Sequence, residues 1–119
     1  GFNANNLFPI TDIAMTGRAD VSEGKVYFKP TFEMNQSSTL LGLAIANLRC
    51  TIDGTLDTIV ALSLVYNSTT KEWEFQTTTS FTTSSSIVVQ LYDSVNSIAV
   101  AKIGTKYYKG ATSAITPVA

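Results

Sequence analysis

Histidine is absent from the 119 residues, and cysteine occurs once, at Cys50. Without imidazole there is no His-dependent catalytic triad and no His-ligated zinc, and one thiol builds neither a thiolate cluster nor an intrachain disulfide. Charge is scarce as well, with eight basic and nine acidic side chains and a formal net charge of −1. Lys and Arg are scattered singly, so the sequence carries no electrostatic footprint for nucleic acid or for an anionic membrane surface. The seven glycines, at 1, 17, 24, 42, 54, 104 and 110, are too dispersed for a phosphate-binding loop. No run of eighteen apolar residues occurs, and the longest candidate, within residues 40–48, is broken by Gly42 and Asn47, so membrane insertion is not expected. Neither a metal nor an organic cofactor has an evident set of ligands.

What the chain does have is hydroxyl. Twelve Ser and seventeen Thr make up about a quarter of it. Ser and Thr compete for backbone hydrogen bonds inside helices, whereas Thr, Val, Ile, Tyr and Phe suit a pleated, half-exposed strand. The length fits one compact domain. The fold class expected is all-β: an antiparallel β-sandwich or jelly roll of seven or eight short strands over residues 10–119, preceded by a linker or N-terminal arm at residues 1–9. A surface covered by Thr, Ser and Asn rather than Lys and Glu points to an extracellular or virion-surface setting. The first residue is Gly rather than Met, which suggests a processed product or a piece of a longer protein.

Along the chain, residues 10–16 read as a first strand and residues 17–24 as turn. Residues 25–28 and 31–34 flank Pro30, which marks an edge strand or a bend. Segment 40–52 fits both a helical stripe and a strand, and is read as strand because Gly42 and Thr51–Ile52 disfavour a helix. Asp53-Gly54 signals a turn. Residues 58–66 alternate with apolar side chains on both faces, as in a central strand or one against a subunit interface. Residues 67–71 form a polar hairpin loop, and 72–81 then alternate, with Trp73, Phe75, Thr77, Thr79 and Phe81 on one face. A second hairpin is expected from 87–92 and 98–103 across a loop at 93–97, then a short last strand at 105–109 and a small-residue tail at 110–119. There is no internal repeat.

Carboxylates are the remaining candidates for catalysis, since Asp12, Asp20, Asp53, Asp57 and Asp93 could be gathered by a sandwich. Each also has a plainer role at a turn or strand end, so no catalytic residue is assigned and the chain is read as not an enzyme. Cys50, between Leu48 and Ile52, reads as a small buried hydrophobe. Lys25 and Lys102, by their apolar flanks, are the lysines that an isopeptide crosslink would use. Trp73 reads as core, and Tyr66 and Tyr92 carry an aromatic face with a polar handle. In Lys106-Tyr107-Tyr108-Lys109 the two tyrosines fall on opposite strand faces, which leaves one exposed. Tyr107 and Tyr108, with Asn67, Lys71, Asp93 and Asn96 in the two polar loops, are therefore the candidate ligand-binding residues. Sequons occur at Asn35-Gln36-Ser37 and Asn67-Ser68-Thr69.

Short Thr- and Ser-rich strands, few charges, no histidine and a small-residue terminus together resemble the knob or lectin-like end domains of bacteriophage tail fibres, tailspikes and other viral fibres. That resemblance implies a homo-oligomer, a trimer above all, that binds a cell-surface glycan or protein receptor, with the apolar segment 58–66 buried between subunits. The function expected is a noncatalytic receptor- or carbohydrate-binding domain of a fibre or surface adhesin. Alternatives are a structural virion or pilus-like assembly subunit, such as a jelly-roll capsid or decoration protein, and a small carbohydrate-active enzyme.

Overall fold

A computed structural model describes residues 11–12, 14–30, 45, 48–91, 100–103, 106–109 and 112–119. Their architecture is all-β. The strands are β1 (Thr11–Asp12), β2 (Met15–Asp20), β3 (Lys25–Pro30), β4 (Leu48–Ile52), β5 (Thr55–Asp57), β6 (Val65–Asn67), β7 (Glu72–Gln76), β8 (Ile87–Leu91), β9 (Val100–Ile103), β10 (Lys106–Lys109), β11 (Thr112–Ile115) and β12 (Pro117–Val118). A five-stranded sheet, in the order β12-β2-β3-β7-β6, lies against a four-stranded sheet, β11-β8-β4-β5, and β1, β10 and β9 form a third, smaller sheet. Of the two architectures expected, the sandwich is the one present. The core order β2-β3-β7-β6 against β11-β8-β4-β5 is the Greek-key order found in immunoglobulin-type sandwiches.

Period-two alternation builds the core. In β3, Val26 and Phe28 are buried while Lys25, Tyr27 and Lys29 face outward; in β7, the buried Trp73 and Phe75 alternate with Glu72, Glu74 and Gln76. From the other sheet come Leu48, Cys50 and Ile52 of β4, Ile87, Val89 and Leu91 of β8, and Ile115 of β11. Phe28 stacks on Trp73 at 6.4 Å between ring centroids and tilts against Phe75 at 6.0 Å. Each such side chain contributes roughly 1.5–3 kcal/mol by leaving water. The expected places of Cys50, Trp73 and Phe75 in the core are therefore met, as are the turn at Asp53-Gly54, where both residues have positive φ (52° and 82°), and the hairpin joining β6 to β7.

Several expected elements are drawn differently. Gly17–Asp20 is strand rather than turn, because β2 pairs with β3 along its whole length from Met15↔Pro30 to Asp20↔Lys25. Gly17 is there for close approach: a Cβ on it would stand 2.7 Å from Ile115 Cδ1 and 3.0 Å from the Tyr27 carbonyl oxygen. Pro30 does not mark an edge strand. It ends β3 two residues beyond the last pairing with β7, at Phe28↔Trp73, while still opposite Met15 of β2.

Residues 58–66 are not a strand. Ile59 makes an isolated bridge to Thr77, Ala61 and Leu62 form a turn, and only Val65–Asn67 joins the five-stranded sheet. The segment must carry the chain from β5, at the edge of one sheet, to β6, at the edge of the other, and no straight strand does that. Strand β8 does not form a hairpin with β9; it lies between β4 and β11, as its buried Ile87, Val89 and Leu91 require, and β9 pairs with β10 instead. The terminal segment is no tail, since β11 pairs with β8 and β12 crosses to run parallel to β2, with Pro117 opposite Ala19. In segment 40–52, strand is present at Leu48–Ile52, Ile45 lies in a 3₁₀ turn, and the remainder is outside the described residues. So are residues 1–9, the proposed strand at 31–34 and the loop at 93–97.

Candidate functional site

Strand direction decides which loops share an end of the sandwich. β6 ends at Asn67 beside Glu72, where β7 begins, and β8 ends at Leu91 beside Leu48, next to the start of β11 at Thr112. At the opposite end Thr116 alone links β11 to β12, which ties Ile115 of one sheet to Ala19 and Asp20 of the other. The β6–β7 tip and the β8–β11 connection thus leave the sandwich at the same end. Asn67 and Lys71 flank the first; Tyr107 and Tyr108 lie in β10, between β8 and β11 in the chain.

At the β6–β7 tip, Asn67 Oδ1 accepts the Thr69 N–H at 2.9 Å and the Thr70 N–H at 3.2 Å, and the Lys71 N–H donates to the Asn67 carbonyl at 2.7 Å. The asparagine side chain folds the turn, leaving its Nδ2 and the exposed Lys71, held at a φ of 60°, to face outward. Tyr107 and Tyr108 occupy consecutive ladder positions in β10, opposite Lys102 and Ala101, with Tyr108 also beside Thr11 of β1. Asp93 and Asn96 lie outside the described residues, as do Tyr92 and the sequon at Asn35.

The carboxylates go to backbone duties. Asp20 Oδ1 accepts the Ser22 hydroxyl at 2.6 Å and the Glu23 N–H at 3.1 Å, bonds that hold its pKa below the usual carboxylate value. Asp53 Oδ1 accepts the Ser86 N–H at 2.9 Å. Asp57 clasps the Thr78 and Thr79 N–H groups at 2.8 and 3.1 Å. These are turn and loop caps, each in its own place. Among the described residues no three His, Cys, Asp or Glu side chains gather in a way that could hold a metal ion. Lys25 is not the buried lysine an isopeptide bond requires: its ammonium pairs with Glu74 at 3.1 Å with the side chain 40% exposed, and that pairing raises its pKa. Cys50 is fully buried, and desolvation, with Asp57 nearby, pushes its thiol up to about 12. At that value it is no nucleophile near neutral pH.

Two features escaped the sequence reading. On the outer face of the five-stranded sheet, Arg18 reaches across β3 to grip Glu72 at 3.0 and 3.1 Å, lies 3.9 Å over the Tyr27 ring, and has its pKa raised by the Glu72 bond. Tyr27 in turn donates to Glu23 at 3.0 Å. The alternation of Lys25, Tyr27 and Lys29 was the available signal for this face. The second feature lies beside β5, where the crossing chain leaves a depression of about 250 Å³ lined by the apolar Ile45, Leu48, Leu56 and Ile59 together with Arg49, Asp57 and Thr58. On the same crossing, Leu62 is 94% exposed. Alternation sets Leu62 and the buried Ile59 on opposite strand faces, but with both faces apolar it does not tell which side chain is left in solvent.

Comparison with protein-family models, with curated proteins and with solved structures finds no significant match to this chain.

Proposed function

We propose that this chain is a noncatalytic binding module that contacts a cell-surface glycan or protein receptor, as part of a viral or phage fibre or a surface adhesin. The observation that carries this reading is the convergence of the β6–β7 tip and the β8–β11 connection, with its extra β9–β10 hairpin, at one end of a rigid sandwich. Loops on a fixed scaffold can vary their contacts without disturbing the core, and an inserted hairpin enlarges the surface they offer. Tyr107 or Tyr108 supplies a flat face for a sugar ring or a partner side chain; Lys71 and the Asn67 amide supply hydrogen-bond donors. The engagement of Asp20, Asp53 and Asp57 as caps supports binding over hydrolysis, because none of them is held opposite another across a cleft.

The test is a glycan array followed by calorimetry on the best ligand, repeated with Tyr107→Ala, Tyr108→Ala and Lys71→Ala. One tyrosine substitution is expected to weaken binding by about tenfold or more, the usual scale for an aromatic contact, and Lys71→Ala by less. A ligand whose affinity ignores all three substitutions removes this end of the molecule as the site. A second reading, an assembly subunit of a particle or fibre, is favoured by a separate observation: the bare apolar side chains along the β5–β6 crossing.

A further inference from the structure

We propose that Leu62 is a self-association contact, its side chain entering the apolar depression beside β5 of a second copy of this chain. The turn that carries it is fixed by four hydrogen bonds. The Ser63 N–H and hydroxyl both donate to the Val60 carbonyl, at 3.2 and 2.7 Å; the Gln76 N–H donates to Ser63 Oγ at 3.0 Å, and the Val60 N–H to the Gln76 carbonyl at 3.0 Å. This frame holds Leu62 at a φ of 67°, in the left-handed region, and almost wholly in solvent. Glycine or asparagine would suit such a turn better, since leucine there is strained and its isobutyl group buries nothing. Stability of the single chain gives no reason for leucine at this position. A contact with another molecule does.

A recess lies on the same flank. Ile45, Leu48, Leu56 and Ile59 give it its apolar lining, beside Arg49, Asp57 and Thr58, and Leu56 of β5, at 58% exposed, and Val65 of β6, at 46%, are bare apolar side chains on the two edge strands. This flank is also the one where the outermost strands, β5 and β6, are three residues each and the two sheets end side by side; the opposite flank is closed by the chain's own β11–β12 crossing. A second copy is the occupant that meets every element at once: it brings a projecting leucine for the recess and a recess for the leucine. The match is reciprocal, so one two-fold contact satisfies the leucine and the recess of both copies. The inference stands apart from the ligand reading above, because its readout is assembly and not ligand affinity.

Sedimentation velocity and light scattering over a concentration series of the full chain test it. The wild-type chain is expected to associate reversibly. Leu62→Gly keeps the turn while removing the side chain, and is expected to weaken association by about tenfold or more, the equivalent of one leucine returned to water. Leu56→Glu, at the recess, should do the same, while Val118→Glu, an equally exposed apolar position on β12, should leave association unchanged. Circular dichroism on each variant separates lost assembly from lost fold. A wild-type chain that stays monomeric at every concentration overturns the second copy as occupant. Association that survives Leu62→Gly, or that Val118→Glu weakens equally, overturns Leu62 as the contact.

Discussion

The chain crosses between the two sheets on adjacent tracks, once through residues 58–64 from β5 to β6 and once through residues 77–86 from β7 to β8, and the two crossings treat their large apolar side chains in opposite ways. The later crossing sends Phe81 inward, where it is 6% exposed, and wraps it in hydroxyls: Thr77 donates to the Thr79 carbonyl, and Ser85 Oγ and Thr82 Oγ1 accept the N–H groups of Thr82 and Ser84. The earlier crossing buries Ile59 but turns Leu62 out. Both are irregular, and both are held by hydrogen bonds to a neighbouring strand or loop. Irregularity alone therefore does not expose a leucine here. The difference is that the later loop spends its hydroxyls capping itself around an anchor, whereas the earlier one spends its one serine, Ser63, fixing a turn that points away from the core.

Removing the anchor should break the comparison most severely. Phe81→Ala is expected to cost about 3–5 kcal/mol, the usual penalty for emptying a buried phenylalanine site, and urea unfolding followed by Trp73 fluorescence measures it. A cost under about 1 kcal/mol would mean that loop 77–86 is held by its hydroxyl caps alone. Next in size is the clasp between the tracks. Asp57 takes the Thr78 and Thr79 N–H groups, and Thr78 Oγ1 donates to the Thr58 carbonyl, so one carboxylate couples the end of β5 to the start of the later crossing. Asp57→Ala is expected to cost roughly 1–2 kcal/mol, two charge-assisted bonds partly replaced by water, and Asp57→Asn less, since its amide keeps one acceptor. Amide hydrogen exchange should show protection lost at Thr78 and Thr79 and kept at Cys50 and Val89, which sit in the β4–β8 ladder.

How much of this was legible beforehand depended on whether a residue's partner is close in sequence. The inward face of β7 and the burial of Cys50 in β4 followed from alternation, because a strand with one covered face writes that pattern directly. The β6–β7 hairpin and the Asp53-Gly54 turn followed from local turn chemistry. Residues 58–66 misled because their apolar side chains serve two sheets and the solvent in turn, and period two cannot report a crossing. Gly17 misled for a related reason: its need is for space beneath Ile115, 98 positions away, which no local rule supplies. The assignment of β8 to β4 and β11, and not to β9, is likewise a matter of long-range pairing. For the site, the sequence named residues on two loops, but only strand direction puts the ends of β6 and β8 on one side of the sandwich, and the exposure of Leu62 depends on a turn bonded to Gln76, thirteen residues beyond Ser63.

The smallest effect is the one with reversed sign. Leu62→Gly removes a side chain that is 94% exposed, so there is little burial to lose, and it relieves a left-handed φ that costs a non-glycine residue on the order of 1 kcal/mol. Glycine's greater freedom in the unfolded chain offsets part of that gain. The net expectation, measured by urea unfolding at concentrations low enough to keep the chain monomeric, is a variant between unchanged and about 1 kcal/mol more stable. Leu62→Ala keeps the strained φ and should move stability by less than about 0.5 kcal/mol. If glycine instead destabilised the monomer by more than that, Leu62 would be packing within its own chain, and the contrast between the two crossings would reduce to two anchors of unequal depth.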